Sequence, residues 1–123
     1  MPSADTERAT YDTNIVLLSG HLGAKPEGKE LRGGVIVTSF SLATSSGYGD
    51  KQRTEWHKCS VFGTQATELA MYGDKGDAVS LKGRIKYSER EGKNYTNIIV
   101  DHLKLTKKKS GSPYRKNEFE SED

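Results

Sequence analysis

The sequence predicts an all-β fold, a five-stranded antiparallel barrel with one short helix between the third and fourth strands. Three observations support this prediction. Five segments carry the apolar patterns of strands, one segment of about two turns carries the period of a helix, and polar, glycine-containing stretches separate them. The chain has 123 residues, about the length of one domain, and residues 14–105 contain all of these segments.

The first two predicted strands are separated by a long loop. Residues 1–13 are polar and aperiodic, so we expect a flexible arm there. Residues 14–22 carry apolar side chains on both faces, as a strand buried on both sides would. Residues 23–34 hold four glycines and a proline and are predicted to be a loop, and residues 35–44 return to a strand pattern.

The third predicted strand and the helix follow directly. Residues 54–63, TEWHKCSVFG, come after a second polar loop and are predicted to form the strand. In residues 64–72, Ala66 and Leu69 fall at helical spacing, and Thr64 is placed to cap the first turn. We expect this to be the helix of the domain.

The last two predicted strands flank a turn. Residues 78–87 alternate strictly between apolar and polar side chains. A turn-like stretch at residues 89–94 separates them from residues 95–105, which are rich in β-branched side chains. Residues 106–123 are predicted to be a disordered tail, basic at first and then acidic.

This order of elements matches the OB fold. In that fold the helix lies between the third and fourth strands, and the face of the second and third strands binds oligonucleotides. A ferredoxin-like fold would need two substantial helices, and the sequence offers one short helix. The sequence therefore favours an OB barrel over residues 14–105.

Composition and the single cysteine exclude several classes of protein. The apolar share is 33%, the charged share 29% and the formal net charge +2, as in a soluble domain. The longest apolar run, residues 15–18, is far too short to span a bilayer, and the first residues lack the features of a signal peptide. We therefore expect a cytoplasmic protein. Because Cys59 is the one cysteine, no internal disulfide and no cysteine-based zinc cluster can form.

One face of the third predicted strand combines two aromatic rings with a cation. Successive side chains of a strand point to opposite sides, so Trp56, Lys58 and Phe62 share one face. If that face were inward, Lys58 would be buried as an unpaired ammonium, which is strongly disfavoured. We therefore expect the two rings to face outward, with Cys59 inward and His57 at the barrel wall or a subunit contact.

Exposed aromatic rings beside cations are typical of surfaces that bind single-stranded nucleic acid. Unpaired bases stack on such rings, which contributes about 1–3 kcal/mol per base without reading sequence, while cations contact the phosphates. A row of cations along a strand, taken alone, is more often a solvated face. Aromatic residues on a strand, taken alone, more often belong to a core or a subunit contact. The combination favours nucleic-acid binding. The fourth predicted strand adds a row of cations: Lys82, Arg84 and Lys86.

Nothing in the sequence resembles catalytic machinery or a metal site. His57 and Cys59 lie two apart on one strand, but no carboxylate or helix N-terminus that would activate the thiol is recognisable. The three histidines lie on different predicted strands without metal-ligand spacing. We expect no enzyme activity, no metal and no cofactor, and only a reactive Cys59 would revive an enzyme hypothesis.

Residues 14–105 resemble the bacterial single-stranded-DNA-binding proteins, a family of homo-oligomeric OB folds. The stretch NIVLLSGHLGAKPE is similar to the family's first strand and loop, FSLATS to its second strand, TEWHKCSVFG to its third and DKGDAVSLKGRIK to its fourth. The order LAT, TEWH and KG-x-x-V-x-L-x-G is specific. The resemblance implies sequence-independent binding and protection of single-stranded DNA during replication, recombination or repair.

The resemblance also implies roles for single residues. Tyr48 stands where the family often has a stacking tryptophan, His57 would lie near a subunit contact, and four copies would form a homotetramer. The predicted base-stacking residues are Trp56, Phe62, Tyr48 and Tyr87, and the predicted phosphate contacts are Lys58, Lys82, Arg84, Lys86 and Arg90.

Two departures from the family pattern change these expectations. Arg90 stands where many relatives carry a further stacking tryptophan, so that platform is missing or moved to Tyr87 or Tyr95, and we expect weaker binding per subunit or a shorter site. The tail ends NEFESED in place of the family's Ile-Pro-Phe tip, which recruits replication and repair proteins. Phe119 among its acids is then a weak substitute for that tip, or the acids compete with DNA for the basic groove. The departure in the tail is compatible with a phage, plasmid or accessory paralogue.

Two other functions stay open on the sequence. One is a primosome-type OB paralogue that mainly bridges replication proteins, although those relatives generally lack the TEWH stretch. The other is an RNA-binding OB protein, which the sequence does not distinguish from a DNA-binding one.

Overall fold

The computed structural model describes residues 12–107, which form six strands and one α-helix. The predicted arm, residues 1–13, and the predicted tail, residues 106–123, lie almost entirely outside the described residues. In chain order the elements are β1 (Val16–Leu22), β2 (Glu27–Glu30), β3 (Ile36–Ser46), β4 (Arg53–Phe62), α1 (Thr64–Tyr72), β5 (Ala78–Arg90) and β6 (Lys93–Thr106).

The strands form one sheet that closes on itself. Its order is β1-β5-β6-β4-β3-β2, and β1 pairs again with β3 through His21↔Ala43 and Leu22↔Leu42. Every pairing is antiparallel except β4–β6, which is parallel from Cys59↔Ile98 to Val61↔Val100. The closed barrel confirms the predicted OB fold.

The predicted loop at residues 23–34 is wrong in one respect, because it contains the short strand β2. All four residues of β2 are exposed and polar, so no apolar alternation marks them in the sequence. They are held instead by backbone pairing with β3, from Glu27↔Ser39 to Glu30↔Ile36. With β2 counted, α1 lies between β4 and β5, although it still follows the third of the long strands, as predicted.

The hairpin between β5 and β6 is longer than predicted. Strand pairing continues to Arg90↔Lys93, so the turn shrinks to Glu91 and Gly92. Both have positive φ, 52° and 80°, which is the geometry of the two-residue turns that suit a twisted hairpin. Because this arm is polar and exposed, its sequence lacks the apolar signal of a strand.

The barrel core takes side chains from the inner face of each long strand. Burial of one such side chain stabilises the fold by about 1.5–3 kcal/mol. Thr38 is a buried polar exception, and its Oγ1 donates to the carbonyl of Ala66 at 2.6 Å. The core residues are Leu22, Phe40, Leu42, Cys59, Val61, Ala66, Leu69, Val79, Leu81, Ile98 and Val100.

The helix α1 packs through Ala66 and Leu69 against β2, β3, β4 and β6. The predicted cap at Thr64 is wrong, because Thr64 is already helical and Gly63, with φ of 83°, stands at the N-cap. Only glycine adopts that conformation at little cost. Within residues 12–107 no helix is long and apolar enough to cross a membrane.

Two lysines hold the C-terminal end of α1. The Nζ of Lys25 donates to the carbonyl of Ala70 in the last turn, at 3.2 Å, and to that of the C-cap residue Gly73, at 2.9 Å. The Nζ of Lys107 donates to the carbonyl of Tyr72 at 2.6 Å and lies 2.8 Å from Asp74 Oδ2 and 2.7 Å from Asp77 Oδ2. These contacts join the end of β6 to the loop that follows the helix.

Candidate nucleic-acid interface

The outer face of β4 carries two exposed aromatic rings with a lysine between them. Trp56 is 60% exposed and Phe62 43% exposed, and Lys58 is exposed as well. Cys59 and Val61, on the other side of the strand, are buried. The predicted orientation of this strand is therefore confirmed. At about 3.3 Å per residue, the two rings are separated by about 20 Å along the strand.

Ser60 shares this face but is only 9% exposed. Asn97 on β6 lies beside it, and its Nδ2 donates to Ser60 Oγ at 3.0 Å. The hydrogen bond joins β6 to β4 between the two rings, on the side of Phe62. The face is thus built from two strands that are far apart in sequence.

A groove runs over β3 and β4 between the two rings. Its floor carries small side chains of β3, because Ser41 pairs with Lys58 and Ser39 with Ser60. The groove measures about 720 Å³. Three lysines and one carboxylate line it, so it carries a net positive charge: Lys25, Lys29, Lys58 and Glu27.

Gly23 lies directly against the indole of Trp56. A Cβ atom added to Gly23 would meet Trp56 Cζ3 at 2.4 Å and Cη2 at 2.9 Å. The backbone of the β1–β2 loop therefore supports the ring on one side, while most of the ring stays exposed. A ring held in this way is available for stacking without having to be ordered first.

A second cleft opens where β4 and β6 diverge. Their parallel pairing begins at Cys59↔Ile98, so the preceding residues of the two strands are not paired with each other. The cleft measures about 340 Å³ and meets the first groove at Lys58. Its lining residues are Trp56, His57, Lys58, Asn94, Tyr95, Thr96 and Ile98.

The predicted row of cations on β5 is exposed, but its members have different surroundings. Lys86 pairs with Asn97, which places it on the same face as Lys58 with one strand between them. Arg84 is already engaged, because its Nη1 donates to Asp101 Oδ1 at 2.8 Å. Lys82 lies farther along the strand, opposite His102. The structure thus brings Lys86 near Lys58 and places Lys82 at the other end of the face, away from Trp56.

The remaining predicted platforms lie apart from Trp56. Tyr48 is 88% exposed in the loop between β3 and β4. Tyr87 is 73% exposed but pairs with Thr96, so alternation places it on the hairpin face opposite Tyr95. Tyr95, which is 45% exposed, is the hairpin tyrosine that shares the cleft with Trp56.

His57 and Cys59 have structural surroundings. The Nε2 of His57 lies 2.9 Å from Thr44 Oγ1. Cys59 is buried, and this burial raises the pKa of its thiol to about 12. The thiol is therefore protonated at neutral pH, whereas a nucleophilic cysteine must be a thiolate. A Cys–His catalytic pair has no support in this geometry.

Sequence reasoning missed the contributions of Gly23 and Asn97. Alternation along β6 places Asn97 and Tyr95 on one face, so that part was available from the sequence. The parallel contact between β4 and β6 was not, because nothing in either strand identifies the other as its partner.

Comparison with known proteins gives consistent results. A model of the "Single-strand binding protein family" matches residues 13–106. "Single-stranded DNA-binding protein 1" of Chlorobaculum tepidum is 41% identical over 78 residues, which is 59% of this chain and 48% of that protein. The "Single-stranded DNA-binding protein" of Xylella fastidiosa is 34% identical over 102 residues (75% of this chain, 62% of the relative). The "Single-stranded DNA-binding protein" of Neisseria meningitidis serogroup A is 34% identical over 115 residues, which is 82% of this chain and 66% of that protein. The chain thus spans between about half and two thirds of the length of these relatives.

Proposed function

The chain belongs to the single-strand binding protein family, and on that premise we propose that it binds single-stranded DNA without sequence preference and without catalysis. The observation that carries the proposal is the outer face of β4. Two aromatic rings, Trp56 and Phe62, are held in solvent with Lys58 between them.

Each part of this face suits one part of an unpaired strand. A ring offers a flat surface on which any base can stack, so affinity does not depend on sequence. Lys58 and Lys86 lie where they can contact phosphates on either side of Asn97. Phe62 extends the stacking surface beyond the groove, and Tyr48 adds an exposed ring in the β3–β4 loop. Stacking and charge then act together along the groove.

The biological setting proposed is the cytoplasm, where the protein coats strands exposed during replication, recombination or repair. The names of the curated relatives support DNA as the ligand. They do not favour the protein-bridging or RNA-binding alternatives. The buried, protonated thiol of Cys59 supports binding without a chemical step.

We expect oligo-dT to quench the fluorescence of Trp56, the one tryptophan of the chain, because a base stacks on its indole. A titration of the full chain at low salt measures this. Oligo-U and duplex DNA of the same length serve as comparisons, and both should bind more weakly. Unchanged emission with oligo-dT, or equal affinity for duplex, would reject the proposal.

Trp56→Ala should weaken binding of labelled oligo-dT by about 1–3 kcal/mol, since one stacking surface is lost. Because this variant has no tryptophan emission to follow, fluorescence anisotropy of the labelled oligonucleotide measures the affinity. Trp56→Phe, which keeps a ring, should recover part of the affinity. For the unmodified chain and for Trp56→Ala, the logarithm of affinity should fall with the logarithm of salt concentration, at a slope of about −0.7 per neutralised phosphate. Equal slopes would show that Trp56 contributes stacking and not charge.

The proposed assembly is a homo-oligomer, with a tetramer as the expected form. Among the described residues, 12–107, residues 16–19 of β1 pair with β5 alone, whereas β3 borders β1 from Gly20 onward. Ile15 and Leu17, beside and within this segment, are 57% and 72% exposed. An open edge with exposed apolar side chains suits pairing with a second copy. His57, predicted at a subunit contact, remains a candidate for that role beside its hydrogen bond to Thr44.

A further inference from the structure

Tyr95 lies on the same face of the sheet as Trp56. The register Cys59↔Ile98 places the two inner side chains side by side, so counting back three residues on each strand brings Trp56 level with Tyr95. Three residues from an inner position is an outer position on both strands. The hydrogen bond between Asn97 and Ser60 confirms that outer positions of β6 face outer positions of β4.

The two rings line a single cleft, because backbone pairing stops before this level. The strands are separated there, and the space between them measures about 340 Å³. Pockets for small organic molecules begin at about 300 Å³, so the cleft has the size for one flat heterocycle and not for a run of them. Both rings keep solvent access, with Tyr95 45% exposed.

Arg90 fixes one side of the tyrosine ring. Its guanidinium carbon lies 5.8 Å from the centroid of Tyr95, a cation–π distance. Ser88 pairs with Tyr95 on β5, so Arg90, two residues on, stands diagonally across the same face. A ring covered by a cation on one side is oriented and presents its other side to a ligand. This contact gives Arg90 a role beside the phosphate contact predicted for it.

The other groups of the cleft suit a base but do not select one. Asn94 carries both a donor and an acceptor in its amide, so it can hydrogen-bond to the edge of any base. Lys58 stands at the mouth shared with the main groove, where a phosphate would enter. Within residues 12–107, no carboxylate is among the residues that line this cleft.

We propose that Trp56 and Tyr95 together hold one nucleobase of the bound strand in the cleft between β4 and β6. The inference rests on the proposed function and adds to it a second ring at the same base. A strand in the main groove then turns at Lys58 and places one base between the rings. Because both rings contact the same base, their contributions to affinity are coupled.

A double-mutant cycle tests this proposal. The full chain, Trp56→Ala, Tyr95→Ala and the double variant are titrated with labelled oligo-dT, using anisotropy as the readout. Each single variant should lose about 5- to 150-fold in affinity, the range for one stacked base. The double variant should lose clearly less than the product of the two single losses, since a base freed from one ring gains less from the other. Tyr95→Phe should retain most of the affinity.

The matched control is Tyr72→Ala. Tyr72 is a 58% exposed tyrosine on α1, and its replacement should leave affinity unchanged. Full affinity in Tyr95→Ala, with a loss in Trp56→Ala, would reject the cleft while leaving DNA binding intact. Losses that multiply would show two separate bases and reject the shared site. Absence of binding in the unmodified chain would instead reject the proposed function. Thermal unfolding of each variant shows whether a loss reflects misfolding.

Discussion

Trp56 is positioned by a glycine of a neighbouring loop and not by a packed core. The ring keeps 60% of its surface in solvent, yet its six-membered edge lies against the backbone of Gly23. This contact combines two needs of a stacking platform. The ring is exposed to the ligand, and its orientation is set before the ligand arrives, so less conformational entropy is lost on binding.

Gly23→Ala should therefore displace the indole. The new Cβ would lie 2.4 Å from Trp56 Cζ3, and an exposed ring can move away where a core cannot. We expect a shifted emission maximum for Trp56, several-fold weaker binding to oligo-dT, and nearly unchanged thermal stability. Fluorescence and anisotropy measure the first two effects.

The Trp56→Ala background provides the control. If Gly23→Ala acts through the indole, it should have no further effect on affinity once the indole is gone. An equal loss in both backgrounds would show that Gly23 contacts the strand or shapes the groove in another way.

At the scale of the element, the end of β6 is connected to the end of α1 by Lys107. Its ammonium contacts a helix carbonyl and the carboxylates of Asp74 and Asp77, of which Asp77 is only 2% exposed. The negative end of the helix dipole also favours a cation at this place. Because β6 carries Tyr95 and Asn97, this connection supports the strand that completes the interface.

Lys107→Met should lower Tm by a few degrees, because a nearly buried carboxylate loses a charge partner. Lys104→Met is the matched control, since Lys104 is an exposed lysine of the same strand, and it should leave Tm unchanged. Differential scanning calorimetry compares the three proteins. Equal Tm values would show that the contact contributes nothing to stability.

The stabilisation should depend on pH in a defined way. Hydrogen bonding to Lys107 lowers the pKa of Asp74 below its ordinary value of 3.8, and hydrogen bonds to Asp74 and Asp77 raise the pKa of Lys107 above 10.5. The part of the folding stability that depends on ionised Asp74 is present above pH 3.8 and is lost as pH falls through the lowered pKa of this carboxyl group. The part that depends on protonated Lys107 is present below pH 10.5 and is lost as pH rises through the raised pKa of this ammonium group. The difference in Tm between the unmodified chain and Lys107→Met should be largest between these limits.

At the scale of the whole molecule, the open edge of β1 is the feature that bears on assembly. Within residues 12–107, β1 is paired on one side only over residues 16–19, and the neighbouring Ile15 and Leu17 are exposed. Backbone groups and apolar surface are therefore left for a partner to cover. Association with a second copy would cover both.

Light scattering of the full chain should give a mass near four times 13.6 kDa. Leu17→Asp should reduce that mass, since a charge would be placed at the proposed contact. Met71→Asp is the control, because Met71 is an apolar residue of α1 with 61% exposure, and it should not change the mass. A monomeric mass for the unmodified chain would reject the assembly.

Much of the fold could be predicted from local sequence patterns, but segments without such a pattern could not. Alternation in β4 and β5 identified the buried sides of both strands, because a two-residue period is visible in one segment alone. The short strand β2 was missed, since its four polar residues carry no such period and only pairing with β3 makes them a strand. The hairpin turn at Glu91 was placed too broadly for the same reason.

For the candidate site, too, some features follow from the sequence and others only from the tertiary structure. By itself the sequence determined that Trp56, Lys58 and Phe62 share an outer face, because side-chain direction follows from position within a strand and burial of an unpaired lysine is costly. The tertiary structure alone decided that Gly23 supports the indole, that Asp101 engages Arg84, and that Tyr95 instead of Tyr87 stands level with Trp56. Those relations depend on which strands become neighbours and in what register. Closure of the barrel sets both, through contacts between segments far apart in the chain.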